Sequence, residues 1–431
     1  MMLSTARIIA VDDERKHLDS LMEGLTQYGA ACLPIYFTGS VMDIPPCPHV
    51  RVIFADLHLI GGTQSHDHKK DFGAIGSLIE KTIKPSGPYF IVLWTQYADQ
   101  ADKLHDFLKR LEGVPKPLAV CALDKNEHLD LEEGNIKSPR LLVDSIKKVV
   151  SKQPQVAALL RWEERISDAA SNTISSILKL GSAADTKNEE LGKLLRSLAS
   201  AAVGENRIEE DQCRAVNNAL LPILADRIAS MESRDDNTDN ELWQAAFAKP
   251  ATKEKLTPEK IAKLNHWLHI DDSEDNGMST ERGAVINLPE MYRGNKFEET
   301  FGLAQNEAAD KEFKCKEFQR ICDKARWVLV QSQAACDYAQ KRAGPLPFHL
   351  GLMWPTSKTV KGKLPAAVWS SPLFEFNNEV FLLHVNARFE ISLTETRIRG
   401  SQPLFRLREQ LLDNLIFQLH SYGARPGFIS F

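Results

Sequence analysis

The chain has 431 residues, 43% of them hydrophobic and 26% charged, with a formal net charge of -5. That length suffices for two or three domains with cores of their own, and the composition is ordinary for globular proteins. The negative balance argues against a surface built throughout for polyanions, and no apolar run approaches the roughly eighteen residues of a membrane helix.

The seven cysteines (Cys32, Cys47, Cys121, Cys213, Cys315, Cys322 and Cys336) are odd in number and widely spaced. They read as reduced core residues of a cytoplasmic protein, not as a disulfide frame. Met1 to Ala6 is too short for a signal peptide.

In chain order, the apolar run Arg7-Ile-Ile-Ala-Val-Asp-Asp-Glu14 ends abruptly in adjacent carboxylates and is followed by a helix-periodic segment. This is the pattern of a buried parallel strand that delivers charge to the carboxyl edge of a sheet. Arg15 to Tyr28 is predicted to be an amphipathic helix with Leu18, Leu21, Met22 and Leu25 on one face, stopping at Gly29. Ala31 to Tyr36 reads as a second strand. A rigid Pro45-Pro-Cys-Pro48 connection then leads into Arg51-Val-Ile-Phe-Ala-Asp56. Phe72 to Ile83, Ala98 to Glu112 and Pro139 to Ser151 read as helices, alternating with the strands Tyr89 to Thr95 and Pro117 to Lys125. Five strands alternating with helices predict a flavodoxin-like, doubly wound parallel α/β sheet.

Four strand ends thus carry Asp12 with Asp13, Asp56, Thr95 and Lys125. Each has a bland alternative, since an Asp-Asp pair after a strand is also a helix N-cap followed by a first-turn acid. If the strands are adjacent, however, three carboxylates converge, and they repel unless a divalent cation sits between them. Hard oxygen ligands suit Mg2+. Lysine then adds a positive point charge and threonine a donor for an anion beside the metal.

In this order, Val11-Asp-Asp-Glu14, Ala55-Asp-Leu-His-Leu59, Leu93-Trp-Thr95 and Leu123-Asp-Lys125 resemble the receiver domain of two-component response regulators, over residues 6 to about 150. The resemblance implies that Asp56 takes a phosphoryl group from a histidine-kinase-like phosphodonor. It implies that Asp12, Asp13, Asp56 and the backbone carbonyl of His58 hold Mg2+, that Thr95 bonds a phosphoryl oxygen and that Lys125 pairs with the acyl phosphate. The chain also departs from the family pattern. Gln96 stands where a small residue is usual, Ala122 replaces the aromatic switch residue, and Asn126 replaces the proline after the lysine. The spacing leaves room for an insertion at Gly61 to Asp71. Its His66 and His68, with His58 and Asp67, suggest zinc, but the surrounding Gly, Thr, Ser and Lys read better as a solvated loop.

Beyond Pro154 the helical stretches Val156 to Leu180, Asn188 to Ala202, Glu209 to Met231 and Leu256 to Trp267 predict a linker or bundle, with Glu232 to Glu241 as an acidic connection. In the resembled family the helix after the receiver often mediates dimerisation, so a homodimer is in play. The expected domains are 1–152 (receiver-like), 153–268 (helical) and 269–431 (an α+β output domain). In the last, Ala284 to Leu288, Arg326 to Gln331, Ala367 to Ser370, Val380 to Val385 and Phe389 to Leu393 have strand composition. The final two read as a hairpin turning at Asn386-Ala-Arg388. Lys311 to Lys324 and Leu404 to His420 read as helices.

Val330-Gln-Ser-Gln-Ala-Ala-Cys-Asp-Tyr-Ala-Gln340 and the Arg425-Pro-Gly tail resemble segments of uncharacterised proteins from phage-defence neighbourhoods, which implies an antiviral setting and no catalytic role. Cys336 with His349 or His384 could form a thiol nucleophile and base, and a structural strand-to-helix turn is the plainer reading. Residues 321–431 hold 13 Lys and Arg against 8 Asp and Glu, and Lys358, Lys361 and Lys363 lie near Trp354 and Trp369. Nucleic-acid contact there is weaker than a solvated basic loop, because no recognition motif accompanies it.

The leading expectation is a phosphorylation-responsive signalling protein and not an enzyme. The alternatives are an effector enzyme or toxin in the carboxyl-terminal domain that the receiver regulates, and a pseudo-receiver scaffold that is never phosphorylated.

Overall fold

The computed structural model describes residues 6–424 apart from 28, 40–43, 45, 48, 60–67, 84–88, 131–132, 134, 181–186, 206–207, 210, 232–236, 249–255, 274–277, 340–342 and 358–363. His66, Asp67, the lysines at 358, 361 and 363 and the tail from Arg425 lie outside the described residues. The chain divides into two compact units, Met1–Ser176 with Leu224–Lys249, and Ile177–Ile223 with Pro250–Phe431.

The first unit is built on β1 (Ile8–Asp12), α1 (Arg15–Gln27), β2 (Cys32–Tyr36), β3 (Val52–Ala55), α2 (Lys69–Thr82), β4 (Phe90–Thr95), α3 (Ala101–Arg110), β5 (Ala119–Asp124), the single turn α4 (Lys125–His128) and α5 (Pro139–Ser151). The strands run parallel in the order β2-β1-β3-β4-β5. With helices as crossovers, this is the flavodoxin-like doubly wound arrangement expected from the sequence.

Period-two alternation decides which side chain meets which helix layer. Ile9, Val11, Ile53, Ala55, Ile91 and Leu93 pack with Phe72, Ile75, Leu78, Leu104 and Leu108 of α2 and α3. Ala10, Phe54, Val92 and Trp94 pack with Leu18, Leu21, Leu25 and Leu142 of α1 and α5. Pro34 is tolerated because, among the described residues, β2 is an edge strand paired to β1 alone.

The helices that follow are α6 (Pro154–Leu180), α7 (Lys187–Val203), α8 (Gln212–Met231), α9 (Asn237–Ala246) and α10 (Pro258–His269). The helix α9 begins inside the stretch read as an acidic connection. Its Asp239 carboxylate receives Arg161 at 3.0 Å and Arg165, both from α6. Pairing thus recruits an acidic segment into the first unit. Among the described residues no helix is long and apolar enough to cross a membrane.

The second unit is α+β, as expected. Its strands are β6 (Ile270–Asp271), β7 (Ala284–Asn287), β8 (Arg326–Gln331), β9 (Leu346–Pro355), β10 (Val368–Ser370), β11 (Phe374–Phe376), β12 (Glu379–Leu393) and β13 (Pro403–Leu407). They pair antiparallel in the order β10-β12-β9-β8-β7-β13-β6, with β11 on β12. The helical pieces are α11 (Asn295–Phe301), α12 (Gln305–Glu307) running into a π turn at Ala308–Glu312, α13 (Phe318–Ile321), α14 (Ala335–Ala339), α15 (Glu395–Ile398) and α16 (Glu409–Gly423). One sheet face packs Val328, Val330, Leu383 and Phe405 on Leu411, Leu412, Leu415 and Leu419 of α16. The other packs Leu329, Leu350, Leu352 and Leu382 on Phe297, Phe313 and Phe318.

Several element predictions fail here for identifiable reasons. Val380 to Leu393 is one strand with a register irregularity between Val385 and Glu390, not a hairpin. The turn lies earlier, at Asn377 and Asn378, whose φ values of 50° and 61° make a two-residue connection between β11 and β12. Lys311 to Lys324 is not one helix, because Lys314 takes φ 56° and breaks it. Leu404 to Leu407 is strand, and only the segment from Glu409 is helical. β9 escapes prediction because Pro347 and Gly351 interrupt its apolar pattern. Gly283, at φ 83°, is required where β7 meets β13, since a methyl there would lie 2.7 Å from the Leu407 carbonyl oxygen.

Candidate functional site

The carboxyl edge of the parallel sheet gathers most of the predicted groups. Asp12 ends β1, Asp13 follows it, Asp56 follows β3, and Lys125 opens α4 directly after β5. The strands β1 and β3 are neighbours, so their terminal carboxylates are brought side by side. One carboxylate oxygen from each of Asp12, Asp13 and Asp56 lies within 4.8 Å of the others. Lys125 reaches back over this edge, and its Nζ sits 2.9 Å from Asp12 Oδ2 and 3.1 Å from Asp56 Oδ2. Local turns fix the acids. Asp12 Oδ1 accepts the Glu14 N–H at 2.9 Å, and Asp56 Oδ1 accepts the Leu57 N–H at 2.7 Å.

Burial sets the electrostatics. Asp12 is 1% exposed and Lys125 3%. Desolvation pushes the Asp12 carboxyl up to about 6; the Lys125 ammonium pulls it down and the Asp56 charge adds to the rise. Asp13 is raised by burial and then by Asp56. For Lys125, burial alone would lower the amine, but Asp56 and Asp12 outweigh it and hold it above its ordinary value.

The Asp12 shift has a stability consequence. A carboxyl that holds its proton more tightly when folded contributes stability below its unfolded value, and this is lost as pH rises through the folded value. Without divalent cation, the first unit should lose on the order of 2–3 kcal/mol between roughly pH 4 and 6 through this group. Urea titrations at stepped pH check this, and Asp12→Asn should flatten the slope.

Thr95 lies at the end of β4, in register with Asp124, is 1% exposed, and its hydroxyl oxygen accepts the Tyr97 N–H at 3.3 Å. Asn126 has a structural reason for not being proline. Its backbone N–H and side-chain amide donate to Asp124 Oδ1 at 2.8 and 2.9 Å, capping α4. Gln96 is exposed and Ala122 half-buried. His17 went unnoticed in the sequence. It is buried, with Nδ1 at 3.4 Å from Lys125 Nζ and from Glu14 Oε2, and burial followed by the lysine charge lowers its pKa. Its one signal was its position on the first turn after the paired acids, three residues beyond Glu14.

A second cluster adjoins the first. The Nδ1 atoms of His58 and His68 each lie 3.3 Å from Asp71 Oδ2, with the Tyr97 ring against both imidazoles at centroid distances of 5.0 and 5.7 Å. Both histidines are visible in the sequence as candidate ligands, whereas Asp71 looks there like an ordinary first-turn acid of α2.

In the second unit Cys336 is exposed, with Sγ 3.8 Å from Asp337 Oδ1. His349 is engaged by Ser332 Oγ at 2.8 Å, and His384 Nδ1 donates to the Phe313 carbonyl at 2.7 Å. Among the described residues neither histidine is paired with the thiol. Trp354 and Trp369 belong to the two hydrophobic cores.

No family model matches the chain, and no curated protein does. Among solved structures it is similar to full-length FixJ from B. japonicum, at 14% identity and a TM-score of 0.22, over 57% of this chain and all of that one. The parallel strand order β2-β1-β3-β4-β5 defines the fold of the first unit by itself.

Proposed function

We propose that the amino-terminal unit is a phosphorylation-responsive signalling module, with Asp56 as phosphoacceptor. The observation that carries this reading is the lysine that bridges two buried carboxylates at the carboxyl edge of a doubly wound sheet, with a third carboxylate beside them. The donor set is all hard oxygen and its excess negative charge is buried, which fits Mg2+ held by Asp12, Asp13, Asp56 and the His58 carbonyl. Bound there, the ion supplies positive charge to the phosphoryl oxygens.

An Asp56 oxygen attacks phosphorus, the phosphorus–nitrogen bond of a phosphohistidine donor breaks, and the imidazole leaves with the bonding pair. Lys125, released from part of its pairing with Asp56, neutralises the acyl phosphate, and the Thr95 hydroxyl donates to one of its oxygens. At the opposite ends of the same strands, Arg7 and Arg51 grip Glu163 of α6 at 3.4 and 3.1 Å, which gives strand movement a route into the helical segment. Leu159, Trp162 and Ile174 of α6 are exposed, in keeping with a homodimer element, and the output is assigned to the second unit.

Incubation of the full chain with acetyl phosphate and Mg2+ should add one phosphoryl group by intact mass, and Asp56→Asn should abolish it. Beryllofluoride with Mg2+ should bind wild type and not the variant. Absence of both adducts in wild type overturns the proposal and leaves a pseudo-receiver scaffold.

A further inference from the structure

We infer that His58, His68 and Asp71 form a second metal centre, for Zn2+, separate from the acidic pocket. His68 and Asp71 are three residues apart at the start of α2 and so share one face. His58 comes from the turn after β3, two residues beyond Asp56. The three ligand atoms lie within 4.8 Å of one another, and both imidazole Nδ1 atoms are 3.3 Å from the same Asp71 oxygen. Tetrahedral zinc with bonds of ~2.0–2.1 Å places its ligand atoms ~3.3 Å apart, so these two edges already have the spacing of a loaded site.

The second observation is the carboxylate itself. Asp71 is 3% exposed, and its Oδ1 has no hydrogen-bond partner among the described residues. The two imidazoles meet only Oδ2 and leave Oδ1 without a donor, a costly arrangement for a buried carboxylate. A divalent cation bound by this carboxylate and the two imidazoles supplies compensating positive charge inside the protein.

Ligand chemistry separates the two centres. Two imidazoles with one carboxylate select a borderline cation such as Zn2+, whereas the all-oxygen pocket selects Mg2+. Three protein ligands leave a coordination position for water or a substrate oxygen. Loading would pin the turn after β3 to α2. It would also hold Tyr97, whose ring lies on both histidines and whose N–H bonds Thr95. Zinc would thereby fix the rim of the phosphoacceptor pocket without joining its chemistry.

The test is a Co2+ titration of the metal-stripped full chain, read by visible absorption. One equivalent should give the intense d–d bands of a low-coordinate site, and Zn2+ but not Mg2+ should abolish them. His68→Ala and Asp71→Asn should each weaken Zn2+ binding by on the order of 100-fold or more, beyond what loss of an outer partner costs. Asp13→Ala should leave the bands intact. Circular dichroism establishes that each variant is folded, and the partly exposed His68 serves if the buried Asp71 position does not tolerate change. Featureless spectra in wild type overturn the inference, as do bands that survive His68→Ala or vanish in Asp13→Ala.

Discussion

Replacing Lys125 by methionine will destabilise the first unit by about 3–5 kcal/mol at neutral pH in the absence of divalent cation. Methionine keeps most of the aliphatic stem, so little packing is lost and the effect is electrostatic. The ammonium is 3% exposed and lies 2.9 and 3.1 Å from two carboxylates that water scarcely reaches. Without it, Asp12 and Asp56 face each other with their charges uncompensated. The deficit should shrink towards pH 5, because the Asp12 carboxyl, pushed up to about 6 mainly by burial, takes a proton there. Added Mg2+ should restore part of the loss. Hydrogen exchange of peptides spanning β1, β3 and β5, read as opening free energies, gives the measurement. A loss below about 1 kcal/mol would show that the ammonium does not bridge Asp12 and Asp56.

The parallel sheet was legible because its information is local. A fully buried strand is a short apolar run, and a strand that ends at a site stops in charge, as Val11-Asp12-Asp13 and Ala55-Asp56 do. What escaped the sequence depends on partners far along the chain. Asn386-Ala-Arg388 has turn composition, yet Asn386 is wholly buried because its amide donates to the Glu312 carbonyl oxygen at 3.0 Å, while Arg388 pairs with the Glu312 carboxylate at 2.7 Å. Polar residues that signal a turn to a local reading are satisfied here from 74 and 76 residues away. The true turn, Asn377-Asn378, carried a local signal, since asparagine tolerates positive φ and two residues match the tight hairpin.

The same division holds at the site. Asp12, Asp13, Asp56 and Lys125 were readable as strand ends, whereas Asp71 and His17 have meaning only through what folds against them. Asp71 is met by an imidazole from before the insertion and another from its own helix start. His17 gains its importance from a lysine 108 residues later.

Phe313→Ala carries the largest expected effect in the second unit, a loss of about 3–5 kcal/mol. Phe313 closes the π turn and is fully buried, with the Trp327 ring edge-on at 5.1 Å and Phe389 stacked at 6.0 Å. Truncation leaves a cavity between the turn and the sheet. It also loosens the backbone whose carbonyl accepts the buried His384 Nδ1–H, and burial keeps that imidazole neutral by lowering its pKa. The Glu312 contacts that hold the irregular part of β12 come from the same turn, so the damage should spread along the strand. Hydrogen exchange should accelerate in peptides covering β8, β9 and β12, while Phe417→Ala, at a side chain 74% exposed on α16, should cost less than about 0.5 kcal/mol. Protection unchanged in β12 would mean that the π turn is not what keeps Asn386 and Arg388 in a continuous strand, and the long-range explanation of that irregularity would fail with it.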